Sequence, residues 1–548
     1  MKKKFVQFFA FLLALAVFPV TSAFALPDVT GVGDDASVRI GLYYGSSALP
    51  GANLQNYSGS GYRFGFMSGD EFIELGYTYE TAISMVKAQN VCYTNNLSGG
   101  GYGYTDQVQT DVLVGCYHLL YGRCTSFEEA QAAASAVGGF PAWIDGEYQV
   151  RIGAFATKEE AVAASGGLTV VGTSSCGITV VPTGSASPLF QYDGAGAGVP
   201  ELTVAPGLDD SVKAITYFKG YRYYGLFCYS RSGGNLTVIN RVSMNDYIDC
   251  VISCEMSESW PVEALKAQAI CARSYAATRK GHASSGFDLC STVCCQAYTG
   301  MSRTGANTAQ AAAETQGQYL RYNGSIIEAV YHSSDGGATE DCENVWYEAL
   351  PYLRGVEDPF EALVESQIPS YRWTKSYTGA ELQERLALYS IESGEIVDVR
   401  ITQTTANGNV YSVELTDRYG KVTTIKKESV RKVLGLPSIR FATGGGTGDG
   451  YYLADGSSIS QTAQVWTVDG NGNLVPVSLS SAYAITGSGV EAISGTQTPT
   501  AQNGVFTFTG TGKGHNLGMS QWGAYAMAKQ GYTYMDILQY YYTGIEIY

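Results

Sequence analysis

Short runs in which apolar and polar residues alternate, separated by glycine-rich turns, cover the first part of the chain. SVRIGLYYG (37–45) and YRFGFMSG (62–69) are two such runs, and LSGGGYGY (97–104) is typical of a loop. A period of two residues places successive side chains on opposite faces of a strand. The pattern therefore predicts a β-rich segment over residues 26–110.

Between residues 111 and 181 the hydrophobic period changes from that of a strand to that of a helix and back, twice. Both predicted helices begin with serine or threonine followed by acidic residues, a typical N-cap sequence. The βαββαβ order predicts a small two-layer module. Its predicted elements are strand 116–122, helix 126–137, strands 140–144 and 148–155, helix 157–165 and strand 168–172.

The composition changes again beyond this module. Residues 182–209 are rich in Pro, Gly, Ser and Ala, and we predict that they form a linker. Residues 210–548 are predicted to form a larger mixed α/β domain, which contains a β-rich insertion at 443–504. The predicted fold class is α+β.

One segment of the larger domain combines a helix end with a carboxyl group in apolar surroundings. Ser243 and Asp246 predict the start of a helix that ends near Glu255, and Pro261 begins the next helix. The partial negative charge at a helix C-terminus and the apolar neighbours both raise the pKa of a carboxyl, as a general acid requires. From spacing alone, Glu255 could equally be an ordinary carboxylate at a helix end.

The N-terminus has the layout of a secretory signal peptide. Three lysines precede an apolar run at 5–20, and Ala23 and Ala25 stand at small-residue cleavage positions. We expect cleavage after residue 25. This predicts a protein that is secreted, or that is held at the cell wall or on the external side of the membrane. An uncleaved anchor is the alternative, although the run is short for a membrane span.

The charge of the chain excludes one class of partner. The formal net charge is −16, and the isoelectric point is about 4.8. Binding to nucleic acid depends on clustered basic residues that neutralise phosphates. We therefore expect no nucleic-acid partner.

Four potential zinc ligands cluster among the twelve cysteines and four histidines of the chain. They are His282, Cys290, Cys294 and Cys295. Thiolate and imidazole are ligands that zinc prefers, but adjacent cysteines chelate less readily than a Cys-x-x-Cys pair. The sequence leaves a structural zinc, free thiols and a disulfide open, because pairing cannot be deduced from spacing.

Several stretches of the larger domain together resemble a known family. They are Glu255-Met256, Ser259-Trp260-Pro261, EALKAQA (263–269), ARSYA (272–276), YHSSDGGATEDCENVW (331–346) and GKGHNLGMSQWGA (512–524). These stretches are similar to the signature of the stage II sporulation protein D (SpoIID) family, which the amidase-enhancer proteins share. The resemblance covers most of 210–548 apart from the insertion. Some family members hold zinc near a Cys-Asp-Thr-Thr-His-Cys sequence, where this chain has Cys294 in place of the histidine.

The resemblance implies a catalytic residue and a set of residues around a glycan cleft. The catalytic acid/base maps to Glu255. Lys266 and Arg273 share one helix face, so they could meet substrate carboxylates or simply pair with acids. Asn516 stands where the family usually has glycine, which puts the loop geometry in doubt. The implied substrate-binding residues are Lys266, Gln268, Arg273, His332, Ser333, Ser334, His515, Ser520 and Gln521.

The smaller module resembles a different family. YQVRIGAFATKEEA (148–161), echoed by the sequence at 117–130, is similar to the sporulation-related repeat, or SPOR domain. This resemblance implies that residues 111–181 bind glycan strands stripped of their stem peptides. The alternative is a ferredoxin-like domain that has no ligand.

Taken together, these resemblances imply a peptidoglycan lytic transglycosylase that acts in sporulation or cell-wall remodelling and needs no cofactor for its chemistry. A single carboxyl group would suffice, because the sugar's own hydroxyl replaces the attacking water. Two alternatives remain: a non-catalytic glycan-binding protein that enhances a cell-wall amidase, and a zinc amidase. The second is disfavoured because the chain has four histidines and no His-Glu-x-x-His sequence.

Overall fold

The computed structural model describes residues 36–97, 101–208, 212–346, 348–443 and 504–548, and the backbone of six short strands between 450 and 492. The predicted signal peptide at 1–25 lies outside the described residues. Within the described part, no helix is both long enough and apolar enough to span a membrane.

The first part of the chain is built of strands, as the alternating pattern predicts. In chain order they are β1 (Ser37–Tyr43), β2 (Gly51–Ser58), β3 (Tyr62–Ser68), β4 (Glu71–Thr78), β5 (Ala82–Lys87), β6 (Val91–Thr94), β7 (Gly103–Thr105) and β8 (Leu113–Val114).

The predicted βαββαβ order is present in the next part, followed by three further strands. The elements are β9 (Tyr117–Cys124), α1 (Phe127–Val137), β10 (Phe140–Ile144), β11 (Glu147–Phe155), α2 (Lys158–Ala164), β12 (Thr169–Val171), β13 (Ile178–Pro182), β14 (Phe190–Asp193) and β15 (Glu201–Pro206). Both N-caps are confirmed, because Ser126 and Thr157 accept hydrogen bonds from the backbone N–H groups of Glu129 and Glu160.

Helices become more frequent after residue 215. The elements are β16 (Ile215–Phe218), β17 (Tyr221–Tyr223), β18 (Leu226–Ser230), β19 (Thr237–Ser243), α3 (Met244–Glu255), α4 (Val262–Thr278), β20 (Leu289–Cys290), α5 (Ala306–Glu314), β21 (Leu320–Tyr322), β22 (Ser325–Ile326), β23 (Tyr331–His332) and α6 (Cys342–Val345).

The remaining part contains the predicted insertion. Its elements are β24 (Arg372–Thr378), α7 (Gly379–Ala387), β25 (Ile396–Thr404), β26 (Val410–Asp417), β27 (Val422–Lys426), α8 (Glu428–Leu434), β28 (Phe441–Thr443), β29 (Gly450–Tyr452), β30 (Ser458–Ser460), β31 (Val465–Val468), β32 (Leu474–Val477), β33 (Tyr483–Thr486), β34 (Gly489–Ala492), β35 (Val505–Thr511), β36 (Met519–Ser520), α9 (Gln521–Lys529), α10 (Tyr534–Tyr541) and β37 (Glu546–Ile547).

Two large sheets contain most of the strands from β1 to β20. One has the strand order β20-β1-β19-β18-β15-β3-β4, and the other β12-β9-β11-β10-β14-β13-β5-β2-β16-β17. Aromatic side chains join the sheets: the rings of Phe64 and Phe190 stack 5.3 Å apart, and those of Tyr43 and Phe218 meet edge to face at 5.7 Å. A continuous hydrophobic core therefore runs from the N-terminal strands into the helices of the larger domain.

The predicted linker at 182–209 is wrong. Residues 190–193 and 201–206 form β14 and β15, and Phe190, Leu202 and Val204 are completely buried. β14 pairs with β10 and β13, and β15 pairs with β3 and β18. The glycines and prolines lie mainly in the turns around two short apolar runs, so the average composition hid the strands.

The predicted βαββαβ module is correct in its element order but is not a separate sheet. Its four strands lie in the order β12-β9-β11-β10 at one end of the ten-stranded sheet, where β10 also pairs in parallel with β14. Gln149 and Arg151, polar residues of the SPOR-like run, are buried and hydrogen-bonded to each other, with a distance of 2.9 Å from Arg151 Nη2 to Gln149 Oε1. SPOR-type glycan binding stays a prediction.

A second hydrophobic core lies between residues 372 and 511. It is formed by side chains of β24 to β28, α7, α8 and β35, such as Trp373, Leu382, Val413 and Phe508. β28 and β35 pair directly, with Thr443 opposite Phe508, so they bracket the predicted insertion. The six strands between 450 and 492 form three hairpins, as the β-rich prediction required.

Candidate active site around Glu255

Glu255 is the last residue of α3, as the sequence predicts. Ser243 caps this helix by accepting a hydrogen bond from the Asp246 N–H, and the Met256 N–H bonds to the carbonyl of Ile252 at the other end. Pro261 is the N-cap of α4. The short turn between two buried helices thus holds the Glu255 side chain in a fixed place.

Three hydrogen bonds hold the carboxyl group of Glu255. The Ala297 N–H donates to Oε1 at 3.1 Å, and Gln521 Nε2 donates to Oε2 at 3.4 Å. The hydroxyl of Tyr331 supplies the third bond. Burial raises the pKa of Glu255 above its usual value, and the hydrogen bonds only partly offset this effect. The predicted direction of the pKa shift is confirmed.

The direction of the Tyr331 hydrogen bond follows from a buried chain of polar groups. Gln296 Nε2 donates to the hydroxyl oxygen of Tyr331 at 2.9 Å, and Gln296 Oε1 accepts from the hydroxyl of Tyr247 at 2.9 Å. Because Tyr331 accepts on one side, its proton is free to point at Glu255. Sequence reasoning singled out none of Tyr331, Gln296 and Ala297, although Tyr331 is the first residue of the family-like stretch at 331–346.

Two of the predicted glycan-cleft residues do reach Glu255 or its neighbours. Gln521, the first residue of α9, bonds to Glu255 and also donates to Gln268 Oε1 at 3.3 Å. Gln268 is completely buried in α4, and its Nε2 has no hydrogen-bond partner within the described part of the chain. Both glutamines can therefore orient the acid, Gln521 directly and the buried Gln268 through its hydrogen bond with Gln521.

The two predicted basic residues serve the packing of α4. Lys266 makes ion pairs with Glu263 at 2.8 Å and with Glu314 of α5 at 2.5 Å. Arg273 is 1% exposed, and its Nη1 donates to Asn245 Oδ1 at 2.8 Å. Direct contact of Arg273 with substrate is therefore a wrong prediction, and Lys266 is already paired with acids.

The predicted serines differ in burial, and two of them share one partner. β23 and β36 pair in parallel, with His332 beside Ser520. Ser334 and Ser520 are buried, and both donate to Glu361, at 2.8 and 2.5 Å. Ser334 and Ser520 therefore stabilise the packing of these loops and are not exposed to a substrate. Ser333 is half-buried, so it is the most accessible of the three serines.

The two predicted histidines, His332 and His515, lie next to each other and are both neutral. Their ring centroids lie 5.4 Å apart, and the His515 ring also packs on Trp346. Burial lowers the pKa of His332 to about 4 and the pKa of His515 well below its usual value. Neither histidine is therefore charged at neutral pH, and His332 is too deeply buried to line the cleft.

Asn516 is compatible with the loop in which glycine was expected. Its φ of 63° lies in the left-handed region, which asparagine tolerates better than most residues. Its side-chain nitrogen donates to the carbonyls of Asp335 at 2.7 Å and Ala338 at 3.2 Å. The substitution thus preserves the turn and adds a tie between two loops.

The four predicted zinc ligands come together. One donor atom from each of His282, Cys290, Cys294 and Cys295 lies within 4.8 Å of the others. Burial disfavours the Cys290 thiolate, but hydrogen bonds to Thr292 and Cys295 leave the pKa of Cys290 below its usual value. All twelve cysteines lie in described segments and are free thiols, so the structure contains no disulfide in this cluster or elsewhere in the described residues.

These features define an α+β protein with a half-buried acid at a helix end and a separate Cys/His cluster. Residues 232–322 match the family model described as "Stage II sporulation protein" (SpoIID). The chain is 30% identical to an uncharacterised protein of Brachyspira hyodysenteriae over 60% of this chain and 73% of that protein. It is also similar to two proteins of Bacillus subtilis.

The first of these is an amidase enhancer, 30% identical over 54% of this chain and 39% of the relative. The second is a stage II sporulation protein D, 28% identical over 56% of this chain and 75% of the relative. The chain belongs to the SpoIID and amidase-enhancer family. This membership supports a role at the cell wall in sporulation.

Proposed function

We propose that this protein is a lytic transglycosylase that cleaves the glycan strands of peptidoglycan, with Glu255 as its acid/base. The observation that carries the proposal is one half-buried carboxyl group with a raised pKa, held by three hydrogen bonds at the end of α3. An acid of this kind remains protonated closer to neutral pH than an exposed glutamate.

The neighbouring carboxylates have other roles. Glu258 accepts from the backbone N–H groups of Asn307 at 2.7 Å and Thr308 at 3.0 Å, at the start of α5. Glu263 pairs with Lys266 and accepts from the N–H of Tyr534 at 2.8 Å. A hydrolase usually needs a second carboxylate to act as base or nucleophile. The two acids that follow Glu255 in sequence are both engaged elsewhere, which favours a one-carboxyl mechanism.

The reaction proceeds through two proton transfers at the same carboxyl group. Glu255 first protonates the glycosidic oxygen between N-acetylmuramic acid and N-acetylglucosamine, and the C–O bond breaks to give an oxocarbenium-like or acetamido-assisted centre. The Glu255 carboxylate then accepts the proton of the muramic acid O6 hydroxyl as O6 bonds to C1. The product carries a 1,6-anhydro ring, and no water is consumed.

Aromatic side chains beside the acid suit a sugar substrate. Trp260, Trp522 and Tyr525 are half-buried, and Trp522 follows Gln521 directly. The ring of Trp260 lies 4.7 Å from that of Trp522 and 4.9 Å from that of Tyr525. Rings that are partly exposed can pack on the apolar face of a pyranose. We propose peptide-stripped strands as the substrate, met after export through the predicted signal peptide.

The name of one relative motivates a second candidate function. That relative is an amidase enhancer, which suggests that this chain could hold glycan and stimulate a cell-wall amidase without cutting. The two functions are separated by incubating residues 26–548 alone with denuded glycan strands and analysing the products by mass spectrometry. Anhydro-muramic ends support the transglycosylase. Binding without new ends favours the enhancer, and reducing ends would identify a hydrolase.

We also propose that His282, Cys290, Cys294 and Cys295 hold a structural zinc ion. Their donor atoms are close enough to share one ion, and four protein ligands leave no open position for catalysis. Cys290 lies in β20 next to β1, and the segment that follows leads to Ala297, which donates to Glu255. Zinc would thus brace the segment that supplies this N–H group.

The zinc proposal predicts about one zinc ion per chain after anaerobic purification. Cys290→Ser is expected to lower the zinc content severalfold, because one of four ligands is lost. Cys176→Ser, at a half-buried thiol outside the cluster, is the matched control and should keep the metal. Metal analysis by mass spectrometry checks this, and wild-type protein with far less than one zinc would contradict it.

A further inference from the structure

A group of three buried carboxyl groups takes no part in the reaction described above. Asp335 and Glu361 are completely buried and Asp358 is 3% exposed. One oxygen atom from each lies within 4.8 Å of the others. Three negative charges so close together in the interior would repel strongly, so something must neutralise part of the charge.

Glu361 has every acceptor position filled. Its Oε1 accepts from the Asp335 N–H at 2.9 Å and the Ser520 hydroxyl at 2.5 Å. Its Oε2 accepts from the Ser334 hydroxyl at 2.8 Å and the Gly336 N–H at 2.9 Å. A carboxylate accepts about four hydrogen bonds, and a protonated one could not accept all of these. Glu361 is therefore the ionised member.

Asp358 has one acceptor position left. Its Oδ1 accepts from the N–H groups of Phe360 at 2.8 Å and Glu361 at 3.2 Å, and its Oδ2 accepts from the Tyr541 hydroxyl at 2.6 Å. By the same count of about four positions, one on Oδ2 remains for a further donor.

Asp335 is the member that lacks donors. Its Oδ1 accepts from the Gly337 N–H at 2.7 Å, whereas its buried Oδ2 has no hydrogen-bond donor among the described residues. A proton on Oδ2 would both neutralise Asp335 and fill the open position of Asp358.

We propose that Asp335, Asp358 and Glu361 form a carboxyl triad that holds one proton, on Asp335, and that this triad fixes the Gln521 amide beside Glu255. Burial and the two neighbouring carboxylates raise the pKa of Asp335 well above its usual range. Burial and Asp358 also raise the pKa of Glu361, but its hydrogen bonds oppose that shift, so the hydrogen-bond count assigns the proton to Asp335. A metal ion is the competing explanation, but Glu361 has no acceptor position left for it, and calcium needs about six to eight oxygen ligands.

The groups that face the triad from other elements do not supply the missing positive charge. α10 and the segment before β24 carry no basic side chain; besides the carboxylates Asp536 and Glu365, they present phenols to the triad. Arg440, whose guanidinium lies near Gly337, donates to the carbonyl of Asn407 at 2.6 Å and forms no ion pair with the triad within the described residues. The phenols are Tyr371, Tyr540 and Tyr541. A shared proton is the simplest way to balance the charge.

The connection to the active site runs through Ser520. Its hydroxyl donates to Glu361 and accepts from the Gly523 N–H at 3.1 Å, so it caps α9 and ties that helix to the loop after β23. Gln521 is the next residue and bonds to Glu255. An ionised Glu361 therefore sets the position of Gln521, and the catalytic consequence of this contact rests on the proposed function.

The proton is tested by the pH dependence of thermal unfolding in Asp335→Asn, whose amide can donate to Asp358 without a proton being taken up. Because the folded-state pKa of Asp335 is raised, its contribution to stability is complete below about pH 4 and decreases as the pH rises towards that raised value. We expect wild type and Asp335→Asn to have similar Tm values near pH 4. Above pH 4 the Tm of the variant should rise progressively relative to that of the wild type.

The exposed carboxylate Glu71, neutralised as Glu71→Gln, is the matched control and should show no such pH-dependent difference. A Tm difference between Asp335→Asn and wild type that does not change with pH would overturn the proposal that Asp335 holds a proton. So would a wild-type Tm that rises with added calcium or magnesium when that of the variant does not. Neither measurement requires catalytic activity, so this arm stands or falls independently of the proposed reaction.

The positioning role is tested with Ser520→Ala, which removes the link from Glu361 to α9. A weaker Gln521 bond is expected to raise the pKa of Glu255, so the alkaline limb of the kcat/KM profile moves to higher pH, as it does in Gln521→Leu. A profile that only scales down in Ser520→Ala, without moving, would overturn this role. If no cleavage is found in the wild type, the proposed function fails while the pH dependence of Tm still decides the triad.

Discussion

Glu255→Gln is expected to abolish glycan cleavage, lowering kcat/KM by about a thousandfold or more, since positioned acid/base groups contribute roughly 10²–10⁴-fold. The amide can neither protonate the glycosidic oxygen nor accept the O6 proton, and in the proposed reaction one carboxyl group performs both steps. The substitution is nearly isosteric, and the Ala297 N–H can still donate to the remaining carbonyl oxygen. Mass spectrometry of anhydro-muramic ends measures the loss.

The pH profile of the wild type gives an independent check of the same role. The first step needs the protonated form, so kcat/KM should fall as the pH rises through the raised pKa of Glu255. Glu263→Gln is the matched control, because Glu263 forms an ion pair with Lys266 and is not hydrogen-bonded to Glu255. It should retain activity within a few fold. Turnover by Glu255→Gln at the wild-type rate would rule out the assignment, whereas retained glycan binding is expected.

The helices around Glu255 could be predicted because their signals are local. The Ser243 cap, the proline before α4 and the apolar face of α3 all lie within one or two turns of the acid. The raised pKa also followed from neighbours in sequence. Local signals of this kind need no knowledge of the tertiary structure, and here the structure confirms them.

The rest of the site depended on contacts that no local pattern reports. β23 and β36 pair although their residues are almost 190 positions apart, and this pairing places Tyr331 near Glu255 and His332 with Ser520. Successive residues of a strand point to opposite faces, so neighbours in one motif serve different sides. The motif indicated that Ser334 and Ser520 matter, but not that they are buried and bound to Glu361.

The linker was predicted incorrectly for a related reason. A composition rich in glycine and proline describes the average of 182–209, whereas β14 and β15 depend on runs of four and six residues. Strands this short become stable only through their partners, β10 and β13 for β14, and β3 and β18 for β15. The boundary at residue 210 therefore separates segments that fold together.

This arrangement predicts that a fragment of residues 210–548 will not fold into a stable, soluble protein. It would lose β1, β3, β4 and β15, four of the seven strands of one sheet, and keep only β16 and β17 of the other. β19 would lose β1 and β18 would lose β15, so both would expose unpaired edges and the core that covers α3. Exposed apolar edges of this kind promote aggregation. Soluble yield and the presence of a cooperative thermal transition measure the effect.

Deletion of residues 444–503 is the matched control, because it removes a large segment without removing a strand of either large sheet. Thr443 and Phe508 are paired neighbours in β28 and β35, so a flexible Gly/Ser linker of about eight residues can join Thr443 to Gly504. We expect this protein to unfold cooperatively within a few degrees of the full chain. A soluble, cooperatively unfolding 210–548 fragment would show instead that the catalytic half does not need the N-terminal strands, and the predicted domain boundary would then stand.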